Sequence, residues 1–338
     1  MIMNMVGGSG EVKPSYKVYG FEVDMTDDTK EYPVSYPKNI FGQLNGASFI
    51  TTPAYGTEEG CMNDWADCPL ISGIKRQIGN ATKGWTDIAD RKSPVIGTGD
   101  DDVMTYVPTW YMRIGRETRS IDGADHDILS VAFSQGQLDE NWQDYAGSVG
   151  ARRIGHFRLG CYISRPSTTA LDSKGGTVGY TTIVQRDLLL TRAQARGEGY
   201  DLETVYQRWY LAALSILLTK CVNPGKKLYR GRTGFEYQDT QEALSYVNVY
   251  GMAGSLTERT SGAFFWIQDF WGGFREILGN IASGKTSAGD AIIKAGLGYC
   301  TFDTSELEFT LAEYSTSQYA IMTSVLFKVS GDTPKGFY

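Results

Sequence analysis

Histidine is nearly missing from this chain of 338 residues; only His126 and His156 occur. Neither has a second histidine or a cysteine at ligand spacing, which argues against a zinc centre and against histidine-based acid and base catalysis. Cysteine is sparse as well. The five thiols, Cys61, Cys68, Cys161, Cys221 and Cys300, are odd in number, widely spaced and without a CxxC pair. They form no disulfide framework and read as buried free thiols of a reducing compartment. No GxSxG elbow is present and no cysteine has a histidine at short range, so neither common nucleophile arrangement is written into the chain.

Long apolar runs are also lacking. The longest, Trp209 to Leu218, is far short of the roughly 20 residues a membrane helix requires, so no membrane insertion is expected. Basic clusters are absent: 32 Lys and Arg stand against 39 Asp and Glu, a formal charge of −7, with a pI near 5.1. An acidic chain of this kind is a poor partner for nucleic acid. The start, Met1-Ile2-Met3-Asn4-Met5 followed by Gly7-Gly8-Ser9-Gly10, has no basic n-region and does not read as a signal peptide. The acidic groups Asp100-Asp101-Asp102 and Asp122/Asp125/Asp127 offer oxygen ligands, yet neither has EF-hand spacing, and both read as loop charge with no metal and no cofactor.

What is abundant is glycine, 40 residues, well above the usual ~7%, together with 21 Tyr and 7 Trp. That mixture suits a turn-rich, β-rich chain with many loops. Residues 1–95 are punctuated by Pro and Gly, and Tyr16 to Val23 alternates as a half-buried strand does, so this portion reads as a β-rich N-terminal region of short strands and long loops. Val103 to Ile114 is rich in β-branched and aromatic residues and predicts a strand interrupted at Pro108, the start of a main domain over 96–338.

Helical spacing is clearest after Tyr200, where Leu202, Val205, Tyr206, Trp209, Ala213, Ile216 and Leu217 recur at three and four residues. Thr204 and Gln207 form a capping box, and Asn223-Pro224-Gly225 is the expected stop. A shorter helix is expected over Asp187 to Arg196, ending at Gly197. The rest, Tyr229 to Tyr338, reads as short strands and Gly-rich loops closed by a strand over Ile321 to Val329. Two helices in a loop-heavy β chain give the α+β class, and the lack of βαβ alternation argues against a doubly wound sheet.

One phosphate-loop pattern, GxxxxGK[ST], occurs at Gly279 to Thr286 and includes Lys285. A working site needs a strand before it, here Phe274 to Leu278, and a helix after it, here Ser287 to Ala295. Only about fifty residues follow, too few for the rest of a nucleotide-binding sheet. A Gly-rich hairpin loop is the favoured reading and a nucleotide site through Lys285 the lesser one. The stretch Phe264 to Phe274 is dense in aromatics, and Trp266 and Trp271 are candidates for exposed stacking on a sugar face alongside a core role. Tyr299, Tyr314 and Tyr319 sit in polar, Ser/Thr-rich segments and are candidate receptor contacts.

Four blocks together resemble a known family. They are Asp101 to Tyr111; Arg158-Leu159-Gly160-Cys161-Tyr162; Arg192 to Tyr200 leading into the capped helix; and Phe264 to Gly279, which is similar to an "enlwGnvweWidG" block. In this order they resemble bacteriophage tail or receptor-binding proteins with a C-type-lectin-like domain of the formylglycine-generating-enzyme (sulfatase-modifying) type. Upstream, Val18-Tyr19-Gly20-Phe21 is similar to the start of the same phage proteins. The resemblance implies a C-type-lectin-like domain over 96–338 that carries long variable loops. It does not bring the enzymes' activity: their copper-holding cysteine pair has no counterpart, since Cys300 is the only cysteine after Cys221. Two histidines do not make the site of the related iron enzymes, and no EPN or WND calcium triplet is found.

The expectation that follows is a non-enzymatic virion protein made in the host cytoplasm, a tail or fibre adhesin. Its N-terminal region would anchor or oligomerise, and its C-terminal domain would bind a host cell-surface receptor or glycan. Other virion proteins and a homotrimer are the expected partners, with neither nucleic acid nor membrane insertion. A capsid decoration or head-fibre protein is the alternative.

Overall fold

The computed structural model describes residues 16–26, 33–49, 68–142, 148–149, 152–153, 156–162, 170–175, 186–222, 251–254 and 262–270, with the short pieces 224, 228, 247, 281–285, 291–295 and 308–310. Its N-terminal elements are β1 (Val18–Asp24), β2 (Val34–Ser35), the small pair β3 (Asn39–Ile40) and β4 (Gln43–Leu44), and the one-turn helix α1 (Pro69–Ser72). Five longer strands follow: β5 (Lys75–Asn80), β6 (Gly84–Asp87), β7 (Asp102–Pro108), β8 (Tyr111–Ile121) and β9 (Ala124–Ser134). After the short pair β10 (Ser148–Val149) and β11 (Arg152–Arg153) come β12 (His156–Gly160), α2 (Arg186–Gln194) and α3 (Val205–Thr219). The chain continues with β13 (Ala263–Phe264), β14 (Ile267–Gln268), β15 (Ile281–Lys285), β16 (Ala291–Ala295) and β17 (Glu308–Thr310).

Two four-stranded antiparallel sheets dominate, ordered β2-β1-β9-β8 and β12-β7-β5-β6. With helices and antiparallel sheets combined, the class is α+β. The boundary expected at residue 95 does not separate two units. β1 pairs with β9 along its whole length, from Val18 opposite Ser134 to Asp24 opposite Ile128, and β5 pairs with β7. Each sheet therefore draws strands from both sides of that position, and the same apolar core contains Tyr19, Phe21 and Leu70 together with Val107, Phe157 and Leu214.

Local chemistry explains the longest hairpin. β8 and β9 join through Asp122-Gly123, both at positive φ (52° and 82°), with Ile121 opposite Ala124. Asp-Gly is the pair that a tight two-residue turn of this hand favours, because its twist matches that of the strands. Asp125, His126 and Asp127, expected in a solvated turn, are strand residues instead: His126 Nδ1 lies 2.6 Å from Asp24 Oδ2, and Arg116 Nε donates to Asp127 Oδ1 at 2.7 Å.

The helix α3 starts where the capping box places it. Gln207 N donates to Thr204 Oγ1 (3.2 Å) and Thr204 N to Gln207 Oε1 (2.9 Å). It ends earlier than the Asn223-Pro224-Gly225 stop, at Lys220, which takes a left-handed conformation (φ 50°). Tyr36, distant in sequence, supplies the reason: its hydroxyl donates to the Leu217 carbonyl, one of the orphaned acceptors of the last turn, and its ring lies 5.2 Å from Lys220 Nζ.

From Trp209 to Thr219 every residue except Ala212 is buried, the pattern of a helix enclosed on all sides. Tyr210 shows how. Its ring stands edge-on to Phe133 of β9 (centroids 5.2 Å, 84°) and to Phe157 of β12 (5.9 Å, 87°), so one side chain of α3 touches both sheets. Tyr210→Ala is expected to lower stability in urea by about 3–5 kcal/mol, the cost of deleting a buried aromatic, whereas Thr86→Ala on an exposed strand position stays within about 0.5 kcal/mol. Equal midpoints for the two variants would refute this role of Tyr210.

Candidate functional site

Alternation along the β12-β7-β5-β6 sheet sorts its residues onto two faces. Val103, Thr105 and Val107 of β7 and Phe157 and Leu159 of β12 point into the core and are buried. Met104, Tyr106 and Pro108, with His156 and Arg158, take the opposite, partly exposed face. The register completes that face. Arg158 is opposite Tyr106, which is opposite Lys75; Met104 is opposite Gln77, which is opposite Asp87; Gly79 is opposite Trp85.

These side chains form one connected arrangement. The Arg158 guanidinium lies 5.0 Å from the centroid of the Trp85 ring and 5.2 Å from that of Tyr106. Its Nε donates to Gln77 Oε1 at 2.7 Å, and its Nη1 lies 3.3 Å from His156 Nε2, whose ring is 5.2 Å from Tyr106. Gln77 Nε2 in turn donates to Asp87 Oδ1 (2.7 Å), and Lys75 Nζ donates to Asp87 Oδ2 (2.6 Å). Those bonds, Gln77's first, hold the Asp87 carboxyl below its ordinary pKa, while burial lowers that of Arg158. Glycine is required beside Trp85. Gly79 has φ 151°, and a Cβ there would sit 2.0 Å from the Gly84 carbonyl oxygen.

Tyr200 extends the aromatic row, its ring 6.3 Å from that of Trp85. It is fixed from beneath by Asp102, which is fully buried. Asp102 Oδ2 accepts from Tyr200 Oη and from Arg196 Nη2, both at 2.7 Å, and Oδ1 accepts from Ser173 N at 2.8 Å. Burial, then the bond to Asp102, pushes the Tyr200 hydroxyl well above its usual pKa. Asp102→Asn leaves Arg196 without its countercharge and is expected to cost about 3 kcal/mol, the lower end for breaking a buried pair. Unchanged urea stability of that variant would show that the network is dispensable.

Trp266 requires correction as a surface contact. It is 4% exposed, its indole Nε1 donates to the Arg91 carbonyl at 2.9 Å, and its neighbours Phe264, Phe265 and Phe270 are buried in the main core. The aromatics of this stretch pack around the tight β13–β14 hairpin. A cavity of about 20 Å³ beside it, lined by Arg76, Cys161, Trp266 and Gln268 among others, has room for about one water and not for a sugar. Trp271, Tyr299, Tyr314, Tyr319 and the strand expected over Ile321 to Val329 lie outside the described residues.

The phosphate-loop match is also corrected. Ile281 to Lys285 is extended as β15 and pairs antiparallel with β16, Lys285 opposite Ala291, and β16 stands where a helix would have to begin the anion cradle. The favoured hairpin reading agrees with this geometry. Among the described residues there is no group of three His, Cys, Asp or Glu side chains that could hold a metal, and no helix long and apolar enough to cross a membrane.

Cys68, Cys161 and Cys221 are buried free thiols; Cys61 and Cys300 lie outside the described residues. Burial raises the Cys68 pKa to about 11 and that of Cys161 to about 12, which leaves almost no thiolate at pH 8. Peptide mapping after iodoacetamide treatment at pH 8 is expected to find Cys68 and Cys161 unlabelled in the folded protein and labelled in urea. Rapid labelling without denaturant would contradict their burial.

Comparison with protein-family models, with curated proteins and with solved structures returns no match for this chain. The functional reading therefore rests on the residues of the sheet face themselves. Sequence reasoning left Trp85 and His156 out of the candidate binding set and placed Tyr106, Arg158 and Tyr200 only within resemblance blocks. The signal was nevertheless present in His156-Phe157-Arg158-Leu159-Gly160, where a cation and an imidazole alternate with apolar residues.

Proposed function

We propose that this chain is a non-enzymatic phage virion protein, a tail or fibre adhesin on a C-type-lectin-like platform, and that it holds a host-surface saccharide on the outer face of the β12-β7-β5-β6 sheet. One observation carries the reading: Trp85, Tyr106 and Tyr200 share that face with a stacked guanidinium, all of them only partly buried. Partly exposed rings beside hydrogen-bonding side chains are what a saccharide uses, its C–H face against a ring and its hydroxyls against polar edges. Strand-borne side chains linked by hydrogen bonds also lose little freedom on binding.

Two of the blocks behind the resemblance to phage proteins meet in this region. Asp102 of the first binds Arg196 and Tyr200 of the third. A site built on a few rings is weak as a single copy, and a homotrimer on a virion would raise its avidity through effective concentration.

Trp85→Ala and Tyr106→Ala are each expected to weaken binding of labelled protein to its host bacterium and to a glycan array at least tenfold, about 1.4 kcal/mol, with the circular dichroism spectrum unchanged. Trp266→Phe, an interior change, leaves binding as it was. Wild-type binding in both surface variants would refute the assignment to this face.

A further inference from the structure

We infer that the saccharide bound by this face is anionic and places a carboxylate or phosphate group on Arg158; the inference rests on the sheet face being the binding face. Among the described residues, Arg113 pairs with Asp139, Arg116 with Asp127, Arg119 with Glu22 and Glu117, Arg196 with Asp102 and Arg208 with Glu203. Arg76, in the interior, gives its guanidinium to the Asp90 carbonyl and faces the Trp266 ring. Arg158 stands on the partly exposed side of a sheet, and among the described residues no carboxylate lies within ion-pair distance of it. Its bonds run to a neutral amide, Gln77 Oε1, and to the His156 imidazole.

The nearest acid on the face does not change this. Both Asp87 oxygens are occupied, Oδ1 by Gln77 and Oδ2 by the Lys75 ammonium, so its charge is matched by Lys75. Asp87 acts on Arg158 only from beyond ion-pair distance, and once the Lys75–Asp87 pair is counted the described side chains of this face keep one positive charge, that of Arg158. A half-buried cation without a counter-ion is unfavourable unless something compensates it. Two aromatic rings do so in part through cation–π attraction.

The same rings prepare the group for a ligand. A guanidinium stacked on ring faces is held in a defined plane; Nε is taken by Gln77 and one Nη1 donor faces His156, which leaves the Nη1–Nη2 end of the fork to offer two parallel N–H bonds to a carboxylate or a phosphate. The Arg158–Gln77–Asp87–Lys75 chain of hydrogen bonds fixes that plane before any ligand arrives. Net charge points the same way by contrast. With a formal charge of −7 the protein as a whole repels polyanions, so a preference for an anionic sugar has to arise locally.

The test compares wild type, Arg158→Gln and Arg158→Lys on three immobilised polymers: dextran (neutral), polygalacturonate (carboxylate) and poly(glycerol phosphate). Wild type is expected to bind at least one anionic polymer ten times or more tighter than dextran. Arg158→Gln is expected to fall to the dextran level, and Arg158→Lys, which keeps the charge but not the planar fork, to lie between them. Preference for polygalacturonate alone assigns a carboxylate, for poly(glycerol phosphate) alone a phosphate, and for both the shared anion chemistry. Equal wild-type binding to all three, or full anionic binding by Arg158→Gln, overturns the inference while leaving the sheet-face reading in place. Binding to no polymer and to no bacterium of a broad panel overturns both. The wild-type preference needs no variant, so a misfolded Arg158→Gln does not obscure the outcome.

Discussion

A helix buried at every residue from Trp209 to Thr219 except Ala212 has to be enclosed, and both large sheets contribute to enclosing α3. Tyr210 meets Phe133 of one sheet and Phe157 of the other, so the helix packs on both sheets. Close packing makes such an interior intolerant of shifts. That intolerance reaches the surface. β12 contributes Phe157 to α3 on its inner side and Arg158 to the outer face one residue later. The positions of Arg158 and Tyr106 are therefore consequences of core packing, not of loop conformation.

A second constraint acts at the end of the sheet. Asp102 has no exposed surface and spends both oxygens on Arg196, Tyr200 and the Ser173 amide. A lone buried carboxylate would be strongly destabilising, and its pairing makes it a fixed point instead. Through it the segment between α2 and α3 is tied to the first residue of β7, and Tyr200 is held beside Trp85. The aromatic row thus has one end set by β-sheet register and the other by a buried charge network.

How much of this was legible in the sequence depended on how local each cause is. The capping box is a contact across three residues, and Thr204 with Gln207 announced it correctly. The end of the same helix was misread because its cause is Tyr36, which no local pattern around Lys220 reveals. Pro108 marked the break between β7 and β8 through its own missing N–H. The boundary at 95 failed for the opposite reason: composition changes there, yet strand pairing ignores composition and joins β1 to β9 and β5 to β7. Trp266 misled because an aromatic side chain suits a core and a sugar surface equally, and only packing decides between them. The proposed binding face was half visible: alternation in β12 exposed His156 and Arg158, but bringing Trp85 beside Arg158 took three registers that residue spacing does not encode.

If recognition sits on this sheet face, as proposed, there is a consequence for how such a protein can change its target. Neighbouring strands fix side chains about 5 Å apart, so the geometry of the face is constant and only residue identity can vary. On the proposed reading, Trp85, Tyr106 and Tyr200 would supply contacts that accept almost any saccharide ring, because stacking is tolerant of stereochemistry. Arg158 would be the position at which charge discriminates, since a guanidinium with no carboxylate partner among the described residues rewards an anion and offers a neutral sugar only ordinary hydrogen bonds. On the proposed reading, a single substitution there would change the class of sugar accepted without disturbing α3, which lies on the inner side, or Asp102, which is buried and engaged by Arg196, Tyr200 and Ser173. The division is physical: the interior holds the frame, and on the proposed reading the rings would hold a saccharide of any kind while one cation selects which.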